Sequence, residues 1–200
     1  KISGGEIHSK GDLITAEAGA KMAEVVNFSL QQGLVGFEWA IGVPGTIGGS
    51  VRGNAGCFDF MMQDAVQEVE VYDVIQDRMF LLGKSACNFS YRASIFKEHP
   101  EWVVLRVALK LKPGDSKKGQ ELVREYTQRR VFTQDIGKSS AGSVFKNVAP
   151  LEGAKLSPGV KTAGSGPADF IAVSSLIEAA GLKGTKIGGV MVSPKHANFI

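Results

Sequence analysis

The stretch Gly42-Val43-Pro44-Gly45-Thr46-Ile47-Gly48-Gly49-Ser50-Val51, with Asn54-Ala55-Gly56 close behind it, constrains this chain more than any other. Five glycines, one proline and three small polar side chains leave so little bulk that a flat or phosphorylated group can come close to the backbone. Successive unshielded amides turned one way also form a concavity for an anion such as a pyrophosphate. The residues alone leave two readings open: a loop that receives a cofactor's phosphates, or a plain glycine-rich turn between a helix and a strand.

The surrounding composition narrows the classes. With 200 residues, 44% hydrophobic and 22% charged, the chain can bury a core as one domain or two small ones. A net charge of +3, in runs no longer than Lys117-Lys118 and Arg129-Arg130, is too small and scattered for nucleic acid but suits an anionic small ligand. Cys57 and Cys87 have no second pair, and His8, His99 and His196 have no ligand-like spacing, so neither a disulfide framework nor a metal is expected. No apolar run reaches the roughly 18 residues of a membrane span, and Lys1-Ile2-Ser3-Gly4-Gly5 is not a secretion signal; the expected setting is the cytoplasm, with no membrane contact. The start without methionine, and the end at Ala197-Asn198-Phe199-Ile200 with no closing turn, read as a fragment at both ends.

Periodicity gives mixed elements in a non-repeating order. Residues 13–18 alternate as a half-buried strand, and 20–32 carry Met22, Val25, Val26, Ser29 and Leu30 at helical spacing before Gly33 as a C-terminal cap. Beyond the glycine segment, 66–72, 78–82 and 102–111 read as a mainly antiparallel meander. Ser116 is expected to cap a helix over 117–130, residues 147–167 read as a loop, 168–180 as a helix ended by Gly181, and 187–192 as a strand entered through two glycines.

Three further clusters carry possible chemistry. In Tyr91-Arg92-Ala93-Ser94-Ile95-Phe96-Lys97, Arg92 is shaped to grip a carboxylate with two parallel hydrogen bonds; the alternative is a surface arginine beside a strand end. In Ser139-Ser140-Ala141-Gly142-Ser143-Val144-Phe145-Lys146-Asn147, Ser143 is a candidate proton donor, or else a turn residue, and Lys146 and Asn147 offer donors to phosphate or sugar oxygens. The flanks of Ser143 lack a nucleophile elbow. Serine is a weak acid, so protonating carbon requires a strongly basic carbanion or enolate, which suggests chemistry begun by hydride addition. The third cluster runs from Leu176-Ile177-Glu178 through Ile187-Gly188-Gly189 to Val192-Ser193-Pro194-Lys195-His196-Ala197-Asn198-Phe199. There the helix caps and packs, and Lys195 or His196 can touch a ligand.

Taken in order, these four strings resemble the UDP-N-acetylenolpyruvoylglucosamine reductase (MurB) family, whose pattern runs GIPGTVGG with NAG, YRxSxFK, AGSxFKNP and LIExAGLKGxxIGGxxVSxKHANF. The resemblance covers nearly the whole chain. It implies an α+β protein: part of an FAD-binding domain of the PCMH/VAO type over 1–115, a connecting helix over 116–135, and an incomplete substrate-binding domain over 136–200. It implies FAD and NADPH as cofactors, acting on UDP-N-acetylenolpyruvoylglucosamine in peptidoglycan precursor synthesis, as a monomer. Gly42, Val43, Pro44, Gly45, Thr46, Ile47, Gly48, Gly49, Asn54, Ala55 and Gly56 would lie against the cofactor. Arg92 would hold the substrate carboxylate, Ser143 would protonate the enolate carbon, and Tyr91, Lys146, Asn147 and His196 would line the substrate, Tyr91 near the flavin. A glycine-rich flavin segment is expected before Lys1 and a catalytic glutamate beyond Ile200. Val148 and Asp135 stand where the pattern has proline, changes expected to alter loop rigidity only, and 150–167 is longer than the pattern; the chain reads as the shorter type. The competing readings are another FAD-dependent oxidoreductase of the same fold and a catalytically inactive flavin- or nucleotide-binding module.

Overall fold

The computed structural model describes residues 4–140, 142–150, 159–163 and 170–200. The chain divides into two compact units, Lys1–Thr127 and Gln128–Ile200. The division falls inside one helix.

The first unit is built on an antiparallel sheet. Strands β1 (Ile7–Lys10) and β2 (Leu13–Glu17) form a hairpin, followed by helix α1 (Met22–Gln31) and the short β3 (Leu34–Val35). Helix α2 (Ile47–Arg52), the hairpin of β4 (Gly56–Cys57) and β5 (Phe60–Met61), and the single turn α3 (Met62–Ala65) lead into β6 (Val66–Asp73). Strands β7 (Arg78–Gly83) and β8 (Trp102–Lys110) complete a five-stranded sheet of order β1-β2-β8-β6-β7, every pairing antiparallel. Strand β9 (Lys112–Pro113) pairs with β3. Alternation decides the sheet's faces: Ile14, Ala16, Val69, Val71, Val107 and Leu109 point inward and are fully buried, and Met22, Val25, Val26 and Leu30 of α1 join the same core. Gly33, at φ +71, closes α1 in the left-handed conformation that a side chain disfavours.

Helix α4 (Ser116–Thr133) differs from expectation at its start. Asp115 is its cap, accepting the Lys117 amide at 2.8 Å, while the Ser116 hydroxyl donates to the Leu30 carbonyl at 2.7 Å. A longer-range acceptor drew the serine away from the helix end.

In the second unit, α5 (Val173–Ala179) is followed by β10 (Lys186–Ile187) and β11 (Val190–Met191), an antiparallel hairpin. Gly188 and Gly189 form its turn, with Gly188 at φ +57. The single strand expected over 187–192 is thus two short ones, because a left-handed glycine reverses the chain there. Most of the loop expected over 147–167, and residues 168 and 169 of the expected helix, lie outside the described residues.

Candidate functional site

The glycine segment is strapped onto the end of β2. The Ile47 amide donates to Ala20 O at 2.9 Å, the Gly48 amide to Ala18 O at 3.0 Å, and the Met22 amide to Gly45 O at 3.3 Å. Gly48 is buried and has to be glycine, since a Cβ there would stand 2.7 Å from the Ala18 Cβ. Thr46 caps α2, its hydroxyl oxygen accepting the Gly49 amide at 3.5 Å. The amides of Ile47, Gly48 and Gly49 are thus taken by Ala20 O, Ala18 O and the Thr46 hydroxyl, and are not the unshielded amides expected of an anion concavity. Gly42, Pro44, Gly45 and Gly49 are exposed, with nothing within 4 Å of a Cβ built at Gly45 and only the Thr46 hydroxyl near one at Gly49. The segment presents a low-relief surface, bare backbone at Gly42, Gly45 and Gly49 with Pro44 between them, against which a flat or extended group fits.

Asn54 joins this surface to the Tyr91-Arg92 motif. It is fully buried at φ +41, and its Nδ2 donates to Gln63 Oε1 and to Ser90 O, each at 2.8 Å, while its Oδ1 accepts the Gln63 amide at 3.0 Å. Asn54 thus acts as a latch between its own loop, α3 and the loop at Ser90. Ala55 is held from both sides, its amide donating to Ser50 O and its carbonyl accepting the Met62 amide, each at 2.8 Å.

Arg92 lies against that latch. One terminal nitrogen donates to Gly56 O at 2.8 Å and the other to Asn54 O at 3.4 Å, and the guanidinium carbon sits 5.0 Å from the Tyr91 ring centroid. The cation is therefore held by backbone groups thirty-six and thirty-eight residues earlier in the chain, in the Asn54-Ala55-Gly56 string. Within the same motif, the Ser94 hydroxyl donates to Arg52 O at 2.8 Å and the Lys97 ammonium to Arg92 O at 2.6 Å.

In the second unit, Ser143 is an exposed residue on an extended strap bridged antiparallel to Phe199. The Val144 amide donates to Asn198 O at 2.9 Å, and the buried Asn198 side chain clasps Phe145 at both backbone atoms, accepting its amide at 3.0 Å and donating to its carbonyl at 2.8 Å. Two motifs more than fifty residues apart are brought together by this asparagine. Lys146 is exposed, whereas Asn147 lends its Oδ1 to the Val173 amide at the start of α5, 3.2 Å away. His196 is half-buried with its ring 4.3 Å from that of Phe199, and its Nδ1 is buried without a hydrogen-bond partner. Burial is the main cause that holds its pKa below 6.5, with the Lys183 charge adding to it.

Asp135, expected to change only loop rigidity, has a definite bond. It accepts the Ser193 hydroxyl at 2.5 Å, and Ser193 Oγ accepts the Lys195 and His196 amides at 3.1 and 3.0 Å. The carboxylate so anchors the turn that presents His196. A cavity of about 590 Å³ opens beside it in this unit, with Asp135, Lys138, Ser140, Met191 and Phe199 on its wall. Sequence reasoning gave no role to Asn198, Lys97 or Ser193. Each lies inside a motif, but a partner five residues back for Lys97, fifty-three for Asn198 or fifty-eight for Ser193 leaves no periodic trace.

Among the described residues no group of three or more His, Cys, Asp or Glu is placed to hold a metal ion, and no helix is long and apolar enough to cross a membrane. Cys87 is buried, which pushes its thiol up to about 11, and Cys57 donates to Trp39 O at 3.0 Å.

Residues 2–75 match a family model described as an FAD binding domain, and residues 134–200 match one described as the C-terminal domain of UDP-N-acetylenolpyruvoylglucosamine reductase. The reductase of Caldanaerobacter subterraneus is 39% identical over 191 residues, covering 96% of this chain and 56% of that protein. The reductase of Thermosipho melanesiensis is 35% identical over 200 residues, covering 100% and 61%. The crystal structure of the enzyme from Thermus caldophilus superposes with a TM-score of 0.72 at 30% identity, over 92% of this chain and 60% of that one. The chain thus spans a little under two thirds of the length of the relatives it matches. With an α+β fold, a segment that matches an FAD binding domain and a segment that matches that C-terminal domain, this chain is similar to UDP-N-acetylenolpyruvoylglucosamine reductases over the part of their length that it spans.

Proposed function

We propose that the protein reduces the enolpyruvyl group of UDP-N-acetylenolpyruvoylglucosamine to a lactyl ether, with NADPH as reductant and FAD as carrier, in the cytoplasmic synthesis of peptidoglycan precursors. The observation that carries this reading is the Arg92 guanidinium held by Asn54 O and Gly56 O, in the string that follows the glycine segment. Gly42, Gly45, Thr46 and Gly49 would hold FAD, which when bound and reduced by NADPH would supply a hydride for the terminal alkene carbon. Everything else falls to the chain. Arg92, whose charge does not titrate away, grips the substrate carboxylate and steadies the negative charge that delocalises onto it. Ser143 donates its hydroxyl proton to the neighbouring carbon, completing the addition of one hydride and one proton across the double bond. Lys146 offers a point charge to a substrate phosphate, and Tyr91 and His196 flank the ligand. Asn147, in this reading, steadies the start of α5.

The test uses the full chain loaded with FAD. NADPH oxidation is followed with and without the enolpyruvyl sugar nucleotide, and one NADPH is expected per substrate reduced. In Ser143→Ala, flavin reduction by NADPH is expected within about twofold of the parent while reoxidation by substrate slows by about 10²–10⁴. NADPH oxidation indifferent to the sugar nucleotide would point instead to another FAD-dependent oxidoreductase. Equal loss in both halves would remove Ser143 from the proton transfer.

A further inference from the structure

We infer that Lys97 is a positioning residue for this reduction, acting through Arg92; the inference rests on the reading of Arg92 as the carboxylate clamp. Tyr91 and Arg92 are the two central residues of a tight turn, closed by the Ser90 amide on Ala93 O and the Ala93 amide on Ser90 O, both at 3.1 Å. Arg92 has φ +57. The second central position of such a turn favours glycine or asparagine, because a Cβ there crowds the backbone. A long cationic side chain in that place is a source of strain, and a strained residue persists only where its surroundings over-determine it.

Those surroundings are visible. The Lys97 ammonium reaches back five residues to the Arg92 carbonyl at 2.6 Å, a charge-assisted bond to the strained residue itself. The reach is set by the intervening residues: Ser94 is buried with its hydroxyl on Arg52 O, and Phe96 is buried in the core. From the other side, Asn54 holds Ser90 O at the mouth of the turn. Lys97 thus fixes the Arg92 backbone while Asn54 O, Gly56 O and the Tyr91 ring fix its guanidinium. With the backbone clamp removed, the turn relaxes toward a conformation a non-glycine residue prefers, and the guanidinium swings with it. A misplaced clamp misorients the substrate, whereas hydride arrival from NADPH does not involve the clamp.

The experiment separates the two halves of the reaction in the full, FAD-loaded chain and adds a double-mutant cycle. Lys97→Met is expected to slow flavin reoxidation by the enolpyruvyl sugar nucleotide by about tenfold, with flavin reduction by NADPH within about twofold of the parent. Lys97→Arg, which keeps a charged donor, is expected to recover the rate to within about threefold. In an Arg92→Met background, Lys97→Met is expected to add nothing, since its effect passes through the missing side chain. An unchanged reoxidation rate in Lys97→Met overturns the inference, as do equal losses in both half-reactions or independent, multiplying effects in the cycle. If Lys97→Met does not fold, Lys97→Gln takes its place and the same outcomes decide. A parent protein whose reduced flavin is not reoxidised by the sugar nucleotide at all is a different result, which removes the reading of Arg92 on which the inference rests.

Discussion

Replacing Gly48 by alanine tests the close approach that seats the glycine segment. A Cβ at this position lies 2.7 Å from the Ala18 Cβ, 3.2 Å from its carbonyl oxygen and 3.3 Å from its Cα. Neither side yields easily, because the Gly48 amide is bonded to that same Ala18 carbonyl at 3.0 Å. Forcing a methyl group into a filled space costs about 1–3 kcal/mol, whereas alanine in place of glycine within a helix stabilises by about 0.5–1 kcal/mol. The net expectation is a loss of about 1–2 kcal/mol. Gly49 is the control on the same helix. A Cβ there meets only the Thr46 hydroxyl, at 3.7 Å, so Gly49→Ala keeps the helix gain and is expected to be neutral or up to about 1 kcal/mol more stable. Urea titrations of the two variants and the parent, analysed with a common slope, measure both numbers. Gly49 is also exposed on the surface proposed for the cofactor, so Gly49→Ala is expected to hold FAD less tightly although its fold is no weaker. Gly48→Ala as stable as the parent, or Gly49→Ala the more damaged of the pair, would refute the packing argument.

Two further expectations concern backbone strain and pH. The turn between β4 and β5 places Phe58 and Asp59 at φ +52 and +66, so Asp59→Gly is expected to change stability by less than about 0.5 kcal/mol while the β-branched Asp59→Val costs about 1–2 kcal/mol; equal midpoints for the two in urea would show that the turn relaxes freely. His196 is held neutral by burial, with Lys183 opposing and Glu178 favouring its charge, so the folded state takes up its proton at lower pH than the unfolded chain. Its contribution to stability is complete above pH 6.5 and is lost as the pH falls below that value through the folded pKa; an imidazole NMR titration with a midpoint above 6.5 would reverse the sign.

The strands of the first unit were legible because a half-buried strand writes its burial directly into alternation, as Leu13–Glu17 and Val66–Asp73 show. Helix α1 was legible for the same reason at helical spacing, with Gly33 marking its end. The cap of α4 was misread, since two polar residues stand side by side at Asp115 and Ser116 and only the position of Leu30, far earlier in the chain, decides which one turns to the helix. The glycines of residues 188 and 189 were legible as special positions but not as a reversal, because alternation looks alike in one long strand and in two short ones.

By itself, then, the sequence determined where the backbone is bare, which residues face a core, and which side chains have the chemistry to grip an acid or release a proton. Motif order was enough to indicate the family. Tertiary structure alone decided what holds those side chains: Arg92 is aimed by carbonyls at Asn54 and Gly56, the Ser143 strap is fastened through Asn198, and the His196 turn is anchored by Asp135. The physical reason is one of range. Periodicity and turn chemistry act over a few residues and are written in the local order of the chain, whereas a buried polar group takes whichever partner the fold brings within 3 Å, and that partner is set by the packing of the whole unit.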